Sequence, residues 1–267
     1  MVVFMREIEA NYKGLLVWSA VMSLIVVLLI ALYPQFASDQ ADLEAMLAAF
    51  PESMLKAFNM DKVSYGTLIG YYSVQGFLMI TLFGSVYAAQ LGSHALAKEE
   101  EDKTIEFLLA RPITRQRLVG EKYLGVGITL ALFNLLVGAL TVLSFVFVEE
   151  GPIPWRELLL LAFAAPLLLH YTFAAAAFLM GTALGRSRTA FSITLGLIFG
   201  TYFLQILVNL FDNLAFLRFF SPFVYVDTAE IVLHGRIPAL FVMIMVFVVA
   251  GCGLLASRVY ARRDIFS

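Results

Sequence analysis

The sequence predicts an all-α membrane protein that crosses the bilayer six times, and three observations carry the prediction. Apolar residues make up 61% of the 267 and charged residues only 14%, against about 25% charged in a typical soluble domain. Mean hydropathy is +0.87. The charges fall in clusters that leave six uncharged stretches: Gly14–Ser38, Val63–Ala97, Tyr123–Val148, Leu158–Gly185, Thr189–Phe211 and Ile237–Ser257. Each is long enough for the roughly 20 apolar residues of a spanning helix. Lys and Arg are also unequally shared. With six spans, 13 of them lie on the side of both termini and 5 on the other, which puts the N- and C-termini in the cytoplasm.

Taken in order, Met1–Lys13 mixes Val2, Val3, Phe4, Met5 and Ile8 with Arg6, Glu7, Glu9 and Lys13. This is an amphipathic stretch, read as an interfacial helix on the cytoplasmic surface or, more plainly, as a solvated tail. The first span is expected at about 14–33, ended by Pro34; its apolar run from Leu15 to Leu32 is too long for a cleaved signal peptide. Asp39–Lys62 reads as two short amphipathic helices separated by Pro51, the first with Leu43, Met46, Leu47 and Phe50, the second with Met54, Leu55 and Phe58. They either cap a pathway or form a structured outer loop. The 35-residue gap is too short for two spans and a turn, so one helix is expected at about 65–91. The remaining spans are expected at 123–148, 158–184, 189–211 and 237–257. Phe211–Arg236 is too polar to span and too aromatic for a free loop, which suits short segments at the outer interface. The uncharged stretches use 158 of 267 residues, so residues 1–267 read as one transmembrane domain without a sizeable soluble one.

The same pattern excludes several chemistries. The cytoplasmic side sums to +4 and the outer side to −6; the basic residues follow topology and form no groove for nucleic acid. Cys252 is the single cysteine, so no intrachain disulfide is possible. No Asp, Glu, Lys or Arg lies within the six gaps, which disfavours an ion-coupled carrier, whose coupling groups sit near the midplane. His170, at depth, reads as an interhelical hydrogen-bonding residue or as part of a pathway. Gln75, Asn134, Gln205 and Asn209 carry the same two readings. An intramembrane hydrolase lacks support, because His170 has no acidic neighbour at depth and no His-Glu-x-x-His occurs. Gly66/Gly70, Gly181/Gly185 and Gly196/Gly200 have the spacing of close helix packing. No phosphate-binding loop is present, so the chain is not expected to be an enzyme and any ATP hydrolysis belongs to another subunit.

The most informative segment is the cytoplasmic loop Lys98–Lys122. Four acids, Glu99–Asp102, are expected to precede a short helix and to favour its N-terminal dipole. Ile105, Leu108 and Leu109 give that helix an apolar edge, and Pro112 stops it. Arg111, Arg115, Arg117 and Lys122 lead back to the membrane. On spacing alone this is either a docking knob for a cytoplasmic partner or a surface loop obeying the charge rule.

The residues themselves resemble the loop after the second helix of permeases of the ABC-2 type of ABC transporter. The matching positions are Glu100, Thr104, Glu106, Leu108, Leu109, Pro112, Thr114, Arg115 and Lys122; Lys103 departs from the commoner Gly. The amphipathic N-terminus, six spans, long first outer loop and aromatic connection before the last span extend the resemblance along the chain. It implies the transmembrane subunit of an ATP-driven exporter, working as a homo- or heterodimer of permease subunits in a cell membrane, a prokaryotic plasma membrane. A separate cytoplasmic ABC ATPase would hold the ATP and Mg, this chain having no cofactor of its own. The resemblance assigns coupling to Glu100, Glu101, Thr104, Ile105, Glu106, Leu108, Leu109, Arg111, Pro112 and Arg115. An apolar, aromatic pathway suits an amphipathic or hydrophobic cargo such as a peptide, an antibiotic or a lipid-like molecule. The alternative is a non-transporting adaptor that recruits or regulates a cytoplasmic ATPase.

Overall fold

The computed structural model describes residues 2–37, 49–101 and 114–263. Among these residues the structure is helical, without a strand. Six helical stretches are long and apolar enough to cross a membrane. The first is α1 (Val2–Ala37). A short α2 (Glu52–Ala57) follows. The second span is α3 (Leu68–Val74) with α4 (Gly76–Glu101), and the third is α5 (Arg115–Val148). The fourth is built from α6 (Trp155–Leu159), a π-helical turn (Leu160–Ala164) and α7 (Ala165–Leu184). The fifth is α8 (Ser187–Leu210). A 3₁₀ segment (Asp212–Phe220), α9 (Pro222–Tyr225) and α10 (Thr228–His234) then lead to the sixth, α11 (Ala239–Arg262).

Three local outcomes differ from the sequence reading. Residues 2–13 are the opening turns of α1 itself, and Pro34 lies inside the helix. No proline interrupts residues 2–33, and Gly14 alone costs too little to stop a helix; Pro34 forfeits the backbone bond to the Ile30 carbonyl, close to the helix end at Ala37. The second span begins at Leu68, where the Thr67 hydroxyl accepts from the Gly70 amide at 3.2 Å. It is interrupted at Gln75 and continues to Glu101, well past Leu91. Gly76 makes the interruption possible, because a Cβ there would fall 2.4 Å from the Tyr72 ring. Pro166 lies in the first turn of α7, well inside the fourth span, and cannot pair with the Ala162 carbonyl. The chain answers with the π turn just before it, in which Ala165 N–H reaches back to Leu160 O. Gly138 of α5 lies against this turn, since a Cβ on it would meet Ala162 O at 2.7 Å. The first of the two outer helices expected around Pro51 lies outside the described residues; the second is α2.

The most extensive interface joins α4 to α7, and the next joins α1 to α5. Small residues allow the first. A Cβ on Gly84 would collide with the His170 ring at 2.3 Å, on Gly92 with the Ala174 carbonyl at 2.3 Å, and on Gly181 with the Ser93 carbonyl at 2.7 Å. Of the paired glycines, Gly181 packs in this way and Gly185 ends α7 with a left-handed backbone, φ +60. Gly196 and Gly200 face open space.

Candidate functional site

The start of α1, the end of α11 and both stems of the 98–122 loop meet at one end of the bundle. Residues 102–113 lie outside the described residues, and with them Thr104, Ile105, Glu106, Leu108, Leu109, Arg111 and Pro112. Glu99, Glu100 and Glu101 form the last turn of α4, where carboxylates oppose the helix dipole; the short helix they are expected to precede lies outside the described residues. Cations from elsewhere in the fold offset the cost.

Each acid goes to a different helix. Glu99 Oε1 accepts from Lys122 Nζ of α5 at 2.8 Å, and the same ammonium donates to Glu7 Oε2 of α1 at 2.6 Å. Lys122 and Glu7 are both buried, and the second Glu7 oxygen accepts from Asn11 Nδ2 at 2.8 Å. Burial of such a cluster is tolerated only because each charge is paired and hydrogen-bonded. Glu100 faces Arg263 at the end of α11, with Nη1 3.1 Å from Oε2. Glu101 takes the Ser187 backbone N–H at 2.9 Å and its hydroxyl at 2.5 Å. It thereby caps α8 from another part of the chain, filling the role that a local Asp or Ser usually plays.

The returning stem is tied down as well. Thr114 Oγ1 accepts from Arg117 N at 3.3 Å and caps α5. Arg115 Nη1 donates to the Arg263 carbonyl at 2.7 Å, while Arg263 Nη1 donates to Thr182 O at 2.9 Å. Gly185 is favoured here by its left-handed φ; a Cβ would also lie 2.0 Å from Arg263 Nη2 and displace that guanidinium. The stems of one loop are thus wired to α1, α5, α7, α8 and α11.

Of the residues singled out from sequence, Glu100, Glu101 and Arg115 sit in this network. Glu7, Lys122, Ser187 and Arg263 complete it and were not singled out as site residues. Lys122 had a signal, as a matching position of the loop's resemblance; Glu7, Ser187 and Arg263 had none beyond lying near the ends of uncharged stretches, as many other residues do.

The five polar residues considered for a pathway do not converge. His170 is fully buried, with Nδ1 3.1 Å from Asn134 Oδ1 and Nε2 3.1 Å from the Ile80 carbonyl. It ties the second, third and fourth spans together. Asn134 Nδ2 also donates to Leu130 O at 2.8 Å. Gln75 donates to the Tyr65 hydroxyl at 2.7 Å, toward the opposite end of the bundle. Gln205 and Asn209 line a small cleft of about 40 Å³ between the second and fifth spans, where Asn209 Nδ2 donates to Ala57 O at 3.2 Å. Nearby, Asp227 caps α10 through Glu230 N and accepts from Asn59 Nδ2 at 2.9 Å. These two bonds fasten α2 and the turn after it to the fifth span and α10. Among the described residues no group of three metal-ligating side chains occurs.

Compared with known families, residues 1–264 match the model described as ABC-2 family transporter protein. No curated protein matches the chain.

Proposed function

The chain belongs to the ABC-2 family of transporter proteins, and from that premise we propose that it is one of two permease subunits of an ATP-driven exporter. Its energy comes from a separate cytoplasmic ATPase that engages the loop between α4 and α5. The observation that carries this reading is the run Glu99–Glu101, three successive side chains that tie one stem of the loop to three other helices. A loop built this way passes on what is done to it. When the ATPase displaces residues 102–113, Glu99 pulls α5 and α1 through Lys122, Glu100 pulls the end of α11, and Glu101 pulls the start of α8. Packed helices answer such a pull as nearly rigid bodies, by tilting and sliding.

The coupling element comprises Glu100, Glu101 and Arg115 together with Thr104, Ile105, Glu106, Leu108, Leu109, Arg111 and Pro112. Both termini then face the cytoplasm, and the opening turns of α1 lie at the cytoplasmic interface. Residues 1–267 act as one permease unit in a cell membrane. The open glycines Gly196 and Gly200 and the exposed faces of α8 and α11 support a second subunit on that side. The uncharged spans support a cargo that is amphipathic or hydrophobic rather than an ion.

The test is to purify the tagged chain from its native membranes in mild detergent and assay the eluate for ATPase activity. Wild type should bring down an ATPase, and Leu108→Glu with Leu109→Glu should lose it while remaining folded. Glu101→Ala should keep the ATPase bound but lose the stimulation of hydrolysis by hydrophobic cargo. No ATPase with intact wild-type protein would overturn the reading. An ATPase whose rate ignores every cargo would favour the adaptor.

A further inference from the structure

A cavity of about 360 Å³ opens beside the buried ion cluster, between the opening turns of α1 and the last turns of α4. It is graded in polarity. Arg6 and Lys98 stand at its wall as exposed cations that form no ion pair among the described residues. Trp18 and Tyr87 line its deeper part, stacked with ring centroids 5.3 Å apart. Two carboxylates also line it, Glu7 and Glu99, but Lys122 holds both. The uncommitted charge is therefore positive.

The second observation is a polar atom without a partner. Tyr87 is 2% exposed, and its hydroxyl makes no hydrogen bond among the described residues. Buried hydroxyls are almost always paired, and one that is not calls for an explanation such as an absent ligand. Here the side chain lines a cavity at the lower end of the usual size for small-molecule sites. Cations at the wall, a single hydroxyl deeper in and aromatic rings beside it match a molecule with an anionic head, ester or hydroxyl oxygens below it, and an apolar tail. The position matches too, where α1 and α4 leave the apolar layer on the side of both termini.

We propose that this cavity binds an anionic phospholipid of the leaflet on the side of both termini, its phosphate between Arg6 and Lys98 and a glycerol-region oxygen on the Tyr87 hydroxyl. The bound lipid fills the gap between α1 and α4 next to the Lys122 cluster, so it braces the helix pair that the 98–122 loop acts on. The site does not depend on the ATPase reading and is tested on the chain alone.

The experiment is native mass spectrometry of the purified chain released from nanodiscs of equal phosphatidylglycerol and phosphatidylcholine, with thermal unfolding as a control for folding. Wild type should retain phosphatidylglycerol in preference to phosphatidylcholine. Arg6→Gln with Lys98→Gln should lower that retention roughly tenfold, the order expected for losing charge-assisted hydrogen bonds. Tyr87→Phe should lower it a few-fold at unchanged unfolding temperature; this variant removes only an unpaired hydroxyl, so a purely structural Tyr87 would leave retention unaltered. Equal retention of the two lipids, or equal retention by wild type and both variants, would overturn the proposal. Displacement of the lipid by millimolar inorganic phosphate would overturn its lipid source and leave a site for soluble phosphate.

Discussion

The second and fourth spans differ sharply from the fifth and sixth. In their most apolar windows the first pair is 61% buried inside the bundle and the second pair 11%. Hydropathy runs the opposite way, 1.4 and 1.9 in the buried pair against 1.9 and 2.7 in the exposed pair. In water the more hydrophobic helices would be the inner ones. In a bilayer lipid tails are as apolar as leucine, so size and polarity decide what goes inside. The inner pair holds Gly84, Gly92, Gly181, Ser93, His170 and Thr182, whereas α11 presents Phe247 at 75% exposure.

The largest effect expected from disturbing the inner side is at Lys122. Lys122→Met leaves Glu7 buried without its cation and should cost about 3–5 kcal/mol, measured as loss of folded protein on heating or in denaturant. Replacing Glu7 and Glu99 by Gln in the same chain should recover most of the loss. A near-neutral single variant would show that water reaches the cluster freely. Next come paired glycine substitutions. Gly92→Ala drives a methyl into the Ala174 carbonyl and should cost about 1–3 kcal/mol. Gly196→Ala meets nothing and should stay within about 0.5 kcal/mol. Equal costs would abolish the distinction between the pairs.

A smaller effect is expected at His170. Its replacement by Leu removes hydrogen bonds between three spans and should cost about 1 kcal/mol while leaving cargo-stimulated ATPase activity intact. Abolished activity in a stable variant would move His170 from packing to the pathway. The smallest effect on the isolated chain is expected from Phe247→Leu, within about 0.5 kcal/mol. Where a second subunit covers α11, the same substitution should weaken association in dilution experiments.

The number of spans was legible because a charge cannot sit cheaply in hydrocarbon; the uncharged stretches therefore mark the bilayer. They do not mark helix ends. α4 runs on to Glu101 and α5 begins at Arg115, since Lys, Glu and Arg are good helix formers once outside the lipid. The break at Gln75 and the π turn before Pro166 were not foreseen, because Gly76 and Pro166 announce an irregularity but not its form. The family was legible from the residues of the 98–122 loop, whereas the wiring of its stems was not. Glu101 meets Ser187 across 86 positions, Lys122 meets Glu7 across 115, and Arg263 meets Glu100 across 163. No local pattern encodes such pairs; they exist because the helices carrying them end at the same level. The same holds for Gln205 and Asn209, which share a cleft, and for Gln75, which does not join them.

The π turn at Leu160–Ala164 has a consequence for how this chain tolerates change in length. Relative to a regular helix it holds one residue too many, and Pro166 is the reason the surplus is stable there. Deleting one residue from the turn would restore regular winding but oblige Pro166 to fit it, and replacing Pro166 alone would leave the surplus without its cause. The two changes belong together: made in concert, they would shorten the fourth span by one residue while keeping α6 in phase with α7. Separately, each would turn one half of that span against the other.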